Sequence, residues 1–271
     1  MMKTLRNTLV CLLIISNVWT TVIGSSRPYD SNNTTPASFS ELSTKEYNWY
    51  FKHVKNGEPP QAPPETAHFI SKYDTYYLGD TSKKELYLTF DEGYENGYTA
   101  PILDVLKKHN VKAAFFVVKP YIDSNPDLVK RMVAEGHLVC NHSNHHPSMA
   151  SIADQDKFNK ELSDVEEAFE ALTNKKMPKY FRPPMGKYSE RSLQYTQAYG
   201  YKTIFWSFAY ADWDTKNQPS LEFAKKRILD RTHNGAIILL HAVSKTNAEI
   251  LDSVITEWKK QGYELKTLDE L

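Results

Sequence analysis

Histidine and acidic side chains in two short segments have the types and spacing of a hydrolytic metal site. Asp91 and Glu92 are adjacent at the end of the apolar run "ELYLTFDE", and His142 and His146 lie four residues apart in "NHSNHH". If the second segment turns helically, both imidazoles share one face, and a carboxylate from a neighbouring strand end would complete a His₂-carboxylate site with open positions. Asp91 is then free to act as a base. The alternative is a coincidental pair of surface histidines.

Three more polar residues can complete acid–base chemistry around Asp91. Arg182 in "KYFRPP" could keep Asp91 ionised, because a cation within about 4–6 Å of a carboxyl group favours its charged form. His241, at the end of "AIILLH", could give a proton to a leaving group while Asp212 orients its second ring nitrogen. Taken together, these residue types indicate metal-assisted hydrolysis.

The segments that must position these residues alternate strictly between strand and helix from residue 81 onward. Seven short apolar runs, rich in β-branched or aromatic residues, alternate with segments of helical periodicity. Such alternation predicts parallel strands joined by right-handed crossovers, in either an open doubly wound sheet or a barrel. The candidate residues all fall at or just after carboxyl ends of predicted strands, which is the edge where ligands and catalytic groups collect in both architectures.

The composition limits the classes of partner. The chain has 271 residues, of which 41% are hydrophobic and 24% charged, so it can bury the core of a barrel-sized domain. Lys and Arg together number 33, and Asp and Glu together also number 33. This balance of charge argues against a protein that binds nucleic acid.

The first 24 residues are predicted to be a signal peptide. Lys3 and Arg6 precede an apolar stretch that is shorter than a membrane-spanning helix, and small or β-branched residues lead to Gly24. Cleavage would leave Cys140 as the single cysteine, which excludes an internal disulfide. Export without disulfides favours a bacterial envelope.

Residues 25–80 are predicted to form an N-terminal extension of the catalytic region 81–271. A proline-rich connector occupies residues 57–65, and the aromatic segment "YNWYF" precedes it. We expect these aromatics, Tyr47 and Trp49 to Phe51, to pack the extension against the main domain, with a sugar-stacking platform as the alternative.

Five motifs in the expected order resemble those of the polysaccharide deacetylase (NodB homology) family. The segment "TFDEG" is similar to the first motif, T-F-D-D-G, and "HSNHH" to the second, H-[ST]-x-x-H. "RPPMG" is similar to the third motif, Asp212-Trp213 to the fourth, and "LLH" to the fifth, so the resemblance extends from residue 85 to the C-terminus. It implies a distorted (β/α)₇ barrel that removes acetyl groups from N-acetylated sugars.

The resemblance also implies a role for each matching position. Asp91 corresponds to the catalytic base, Arg182 to the residue that positions it, His241 to the catalytic acid and Asp212 to the partner of that acid. His142 and His146 correspond to metal ligands.

Three other positions carry a family role or depart from the family pattern. Met185 stands where the family often has Tyr, and its backbone N–H is expected to help hold the oxyanion. Trp213 is expected to wall the site. Glu92 replaces the family's metal-binding Asp; its extra methylene leaves metal ligation and a solvated loop carboxylate as two open interpretations.

The extension and the segment 77–106 resemble the subgroup that deacetylates peptidoglycan N-acetylmuramic acid on the way to the muramic δ-lactam of spore cortex. This implies an exported monomer with no stable protein partner, which acts on peptide-stripped glycan strands of the bacterial envelope. The envelope of the forespore is included among the locations left open. Zinc is the favoured metal, and cobalt, manganese and magnesium remain open. Competing hypotheses are a deacetylase of N-acetylglucosamine or chitin oligosaccharides, a glycoside hydrolase, and a non-catalytic glycan-binding module.

Overall fold

The computed structural model describes residues 42–53 and 58–271. The predicted signal peptide and the first part of the extension therefore lie outside the described residues. Among those described, no helix has the length and apolar character needed to cross a membrane.

Ten strands are present in the described residues. They are β1 (Tyr47–Asn48), β2 (Thr75–Tyr76), β3 (Glu85–Glu92), β4 (Ala114–Val117), β5 (Leu138–Asn141), β6 (Tyr180–Phe181), β7 (Lys187–Tyr188), β8 (Lys202–Ile204), β9 (Ala236–His241) and β10 (Glu264–Lys266). All seven strands predicted from the sequence are found, and β1, β2 and β7 are additional.

Eight α-helices accompany the strands in the same part of the chain. They are α1 (Ala67–Ile70), α2 (Thr99–His109), α3 (Lys119–Ser124), α4 (Pro126–Ala134), α5 (Gln155–Thr173), α6 (Glu190–Ala198), α7 (Leu221–Asp230) and α8 (Lys245–Lys260). Ser189 and Ser220 cap the N-termini of α6 and α7 with their side chains.

The main sheet is parallel throughout and curves into an incomplete barrel. Its strands follow the order β10-β3-β4-β5-β6-β8-β2, and β9 also pairs with β3. A parallel bridge from Phe208 to Ile238 brings the segment after β8 against β9. The predicted distorted (β/α)₇ barrel is thus confirmed, with β2 of the extension adding an eighth strand.

Strand β3 separates two layers of the core by the alternation of its side chains. Leu86, Leu88 and Phe90 belong to the cluster that packs against the surrounding helices, whereas Tyr87 belongs to a second cluster with residues of neighbouring strands. Because successive side chains of a strand point to opposite faces, Asp91 falls on the face of Tyr87 and Glu92 on the helix-facing side. The side chains of the two adjacent acids therefore lie on opposite faces of β3.

The aromatic segment of the extension packs against the barrel through Trp49. Its indole stacks on Phe205 with ring centroids 4.3 Å apart and donates a hydrogen bond to the Trp206 carbonyl. Gly186 allows this close approach, because its φ is +66° and an added Cβ would lie 2.9 Å from the Trp206 ring. Tyr50 departs from the prediction: it is largely exposed and donates its hydroxyl to Glu65.

Candidate active site

A cavity of about 850 Å³ opens at the carboxyl ends of the barrel strands. Six of the predicted site residues line it: Asp91, His142, His146, Met185, Trp213 and His241. Arg182 and Asp212 are buried and contact members of this group from behind. Glu92 differs from the other predicted site residues. It does not line the cavity, and its side chain accepts a hydrogen bond from Thr99, which does not line the cavity either.

Asp91 is held as a carboxylate by a fully buried arginine. Arg182 donates from Nη1 to Asp91 Oδ1 at 2.7 Å, from Nη2 to the Thr89 hydroxyl at 2.8 Å and from Nε to the Ile204 carbonyl at 3.1 Å. Burial by itself would raise the pKa of Asp91, but the charge of Arg182, the charge of His241 and the hydrogen bond from Arg182 outweigh it and lower the pKa below its ordinary value. Asp91 is therefore an ionised base whose second oxygen, Oδ2, remains available.

His142 presents an unprotonated nitrogen toward that base. Its Nδ1 lies 2.8 Å from the Arg182 carbonyl oxygen, which can only accept, so Nδ1 carries the proton. Nε2 is then an acceptor and lies 3.6 Å from Asp91 Oδ2. Burial lowers the pKa of His142 to about 4, which keeps the ring neutral at physiological pH.

His146 meets His142 without the helical turn that their spacing suggested. The two ring centroids are 4.9 Å apart, but residues 142–148 form no helix. The backbone instead turns through left-handed conformations at Ser143 and His146, with φ of 69° and 58°. The His146 N–H donates to the Ser143 hydroxyl at 3.0 Å, which fixes this turn.

Glu92 is placed away from the two histidines. Its side chain is fully buried on the helix-facing side of β3, where Oε1 accepts a hydrogen bond from the Thr99 hydroxyl at 3.3 Å and Oε2 has no partner among the described residues. Burial first, and then the negative charge of Glu95, raise the pKa of Glu92 well above its ordinary value. The structure thus matches neither open interpretation: Glu92 is not a solvated loop carboxylate, and it is not beside His142 and His146. The strand alternation described above is the physical reason.

The predicted ligand set consequently does not come together around a metal position. Within the described part of the chain, no group of three or more His, Cys, Asp and Glu side chains has an arrangement that could hold a metal ion. Cys140 offers no substitute, because it is buried in the barrel interior among hydrophobic side chains. The residues as placed do not fit a three-ligand divalent site, and we assign no chemical step to a metal.

His241 lies beside Asp91, as its register partner on the neighbouring strand β9, and forms a second polar pair with Asp212. Asp212 accepts from His241 Nδ1 at 2.7 Å and from the His241 backbone N–H at 2.8 Å. Burial opposes protonation of His241, but the hydrogen bond and charge of Asp212 outweigh it, so the pKa of His241 is raised. Because Nδ1 faces Asp212, the acidic proton of the imidazolium is carried on Nε2.

Two supporting residues of the site were not predicted from the sequence. Asn247 donates to Asp212 Oδ2 at 2.6 Å and to the His241 carbonyl at 3.1 Å, so it fixes both members of the pair. Thr89 bridges Arg182 to the Ile238 carbonyl, to which its hydroxyl donates at 2.7 Å. Thr89 belongs to the "TFDEG" motif and could have been identified from it, whereas Asn247 lies in the first turn of α8 without a motif of its own.

The rim of the cavity is exposed and largely apolar. Tyr94, Met185 and Trp213 are 54%, 53% and 61% exposed and all line the opening. Met185 has a left-handed backbone with φ of 59° in the tight turn Pro184–Gly186. Exposed aromatic faces beside acid–base groups suit a sugar ring, because such rings stack on apolar surfaces while their hydroxyls remain hydrated.

The pKa shifts of Asp91 and His241 are opposite in direction. An ionised carboxylate and a protonated imidazole side by side on neighbouring strands are able to accept and donate a proton, respectively. Glycosidic cleavage needs two carboxylates at the scissile bond. Asp212 is occupied by His241, Glu92 does not line the cavity, and Asp214 accepts the backbone N–H of Lys216 at the cavity wall. Fold and site together define a hydrolase of acyl or amide bonds on a parallel α/β barrel.

Comparison with known proteins identifies the family. The sequence profile described as "Polysaccharide deacetylase" matches residues 78–204. The Bacillus subtilis peptidoglycan-N-acetylmuramic acid deacetylase PdaA is 47% identical over 224 residues, covering 83% of this chain and 85% of the relative. The peptidoglycan-N-acetylglucosamine deacetylase PgdA of Listeria monocytogenes is 35% identical and covers 79% of this chain, which spans 46% of PgdA.

The solved structure of B. subtilis PdaA, described as a family 4 carbohydrate esterase, superposes with a TM-score of 0.82. It shares 46% identity and covers 85% of this chain and 98% of its own. The chain therefore belongs to the polysaccharide deacetylase family, and it is a family 4 carbohydrate esterase that acts as a deacetylase.

Proposed function

We propose that the protein removes the acetyl group from N-acetylmuramic acid in peptide-stripped glycan strands of peptidoglycan, on the route to the muramic δ-lactam of spore cortex. The observation that carries this proposal is an ionised Asp91 beside a proton-donating His241, at the ends of two neighbouring strands in one sugar-sized cavity. The substrate assignment is supported by the 47% identity to PdaA over most of both chains.

In the proposed reaction, Asp91 Oδ2 accepts a proton from water as the water oxygen attacks the acetamide carbonyl carbon. Arg182 keeps Asp91 aligned and lowers its pKa, so the base is ionised before the reaction begins. His241 Nε2 then donates its proton to the sugar nitrogen, and the C–N bond breaks to release acetate and a free amine. The backbone N–H of Met185 is the proposed donor to the tetrahedral oxyanion.

The family is typically metal-dependent. Zinc, with cobalt, manganese or magnesium as alternatives, remains our prediction for the metal, and only His142 and His146 of the predicted ligands would be available to hold it. Because Glu92 is turned away, we expect loose binding. Metal content measured by mass spectrometry after dialysis, in the wild type and in His142→Ala, tests this without relying on activity.

The proposed site of action is the bacterial envelope, including the envelope of the forespore, after export by the predicted signal peptide. The proposed macromolecular partner is the glycan strand itself, bound by a monomer without nucleic acid or a stable protein partner. An N-acetylglucosamine or chitin deacetylase is the second candidate, which the 35% identity to PgdA supports.

Mass spectrometry of treated glycans separates these candidates. Peptide-stripped strands, peptide-bearing peptidoglycan and chitin oligosaccharides are incubated with the protein, and the deacetylated positions are mapped. We expect loss of acetyl groups from muramic acid of the stripped strands, with intact chain length. Preferential reaction of chitin would overturn the muramic acid assignment, and new reducing ends would indicate a glycosidase. Binding without acetate release would support the non-catalytic module.

A further inference from the structure

One wall of the cavity carries a lysine that no other feature of the site explains. Trp213, Asp214, Thr215 and Lys216 follow Asp212 and all line the cavity. Lys216 is exposed, and among the described residues its Nζ makes no hydrogen bond or ion pair. An Asp214 carboxylate oxygen accepts the backbone N–H of Lys216 at 3.0 Å, which fixes the turn that carries the side chain.

Lys216 is the one Lys or Arg residue among those that line the cavity. Arg182 is buried beneath the floor of the cavity, and its charge is paired with the Asp91 carboxylate. His241, which the proposed reaction uses in its protonated form, is already paired with the Asp212 carboxylate at 2.7 Å. A negatively charged group on the substrate therefore meets one cation of the lining that has no partner among the described residues, the Lys216 ammonium.

Muramic acid carries such a group immediately beside the reacting acetamide. Its lactyl ether ends in a carboxylate, whereas glucosamine has a neutral hydroxyl at the same carbon. In strands that still bear a stem peptide, the lactyl carboxyl is an amide and has no charge. One cation at the cavity wall can therefore discriminate against both competing substrates.

We propose that Lys216 is a specificity-determining residue whose ammonium group pairs with the free lactyl carboxylate of muramic acid. This inference rests on the proposed function, because it names the group that distinguishes the proposed substrate. A charge-assisted hydrogen bond formed in a partly enclosed cavity is stronger than an exposed surface pair. Its loss should lower kcat/KM by about 10-fold or more, mainly through KM.

The test crosses three variants with two forms of one substrate. Lys216→Met removes the charge but keeps an unbranched apolar stem, Lys216→Arg keeps the charge, and Lys130→Met makes the same charge change on the exposed face of α4. The substrate is a peptide-stripped strand, either with free lactyl carboxylates or with those carboxylates converted to neutral methylamides.

We expect Lys216→Met to lose about 10-fold or more on the free carboxylate and to match the wild type on the methylamide. Lys216→Arg should recover part of the loss, and Lys130→Met should behave as the wild type on both. Equal activity of Lys216→Met and wild type on the free carboxylate would overturn this inference alone. A wild type that does not deacetylate muramic acid would overturn the proposed function and the inference together.

Discussion

The substitution Glu92→Gln tests whether the acid next to the catalytic base is a neutral buried group or a charged ligand. The structure places Glu92 with zero exposure, one oxygen on Thr99 and the other without a partner among the described residues. Burial raises its pKa well above the ordinary value, so the folded protein keeps the proton where the unfolded chain has released it. Gln has nearly the same shape and cannot ionise.

The sign and size of the effect follow from proton linkage. Below the unfolded pKa of about 4.3, both states of the wild type hold the proton, and Glu92 makes no pH-dependent contribution. Above that pH the folded state binds more protons than the unfolded state, so the wild type loses about 1.4 kcal/mol of stability per pH unit through this group. This loss of stability continues until the pH reaches the raised pKa of Glu92 in the folded state. The Glu92→Gln protein does not undergo this loss, because Gln does not ionise.

The assay is urea unfolding of both proteins at four pH values between 4 and 7, with Glu222→Gln on exposed α7 as a control. Between the unfolded pKa and the raised folded pKa of Glu92, the free-energy difference between Glu92→Gln and wild type should rise with pH by up to about 1.4 kcal/mol per unit, whatever constant offset the new amide introduces. Glu222→Gln should follow the wild type. A flat difference for Glu92→Gln, together with loss of bound metal, would refute the placement of a neutral Glu92.

Further substitutions test the base, its positioning residue and the acid. Asp91→Asn should fold normally, and acetate release should fall by at least about 10²-fold, the lower limit for losing a general base; retained turnover measured by acetate assay would contradict that role. Arg182→Met leaves the buried Asp91 carboxylate unpaired, so the free energy of unfolding should fall by about 3–5 kcal/mol. The pKa of Asp91 should rise, and the acidic limb of the pH–rate profile should move to higher pH; an acidic limb that does not move contradicts this role of Arg182. Asp212→Asn removes the interaction that raises the pKa of His241, so the basic limb should move to lower pH, and an unchanged basic limb would contradict the pairing.

The positions of the seven strands and the gathering of site residues could be predicted, because each candidate residue falls at or just after the end of an apolar run and parallel strands end at one edge. The side of β3 on which the Glu92 side chain lies could not be predicted. Strand β3 is buried on both faces, so the alternation of its side chains is hidden in an almost continuous hydrophobic run. The two-residue strand β2 has no periodic signal at all. Asn247 is a common polar residue near a helix start, and nothing in its neighbours shows that it will reach Asp212.

Backbone strain around the cavity supports a functional geometry independently of family resemblance. Six non-glycine residues with left-handed φ occur in the described chain, and two of them, Asn110 and Asn174, end helices where that conformation is ordinary. Of the others, His146 and Met185 line the cavity, and Ser143 lies in the turn between His142 and His146. Each such residue costs on the order of 1–3 kcal/mol and persists only where its surroundings impose it. Hydrogen bonds from Ser143 N–H to the Asn141 side chain at 2.9 Å and from His146 N–H to the Ser143 hydroxyl at 3.0 Å impose it here. The loop therefore adopts a destabilising backbone conformation that directs the His146 imidazole toward Asp91 and His142. A loop that only connected β5 with α5 would not require this conformation.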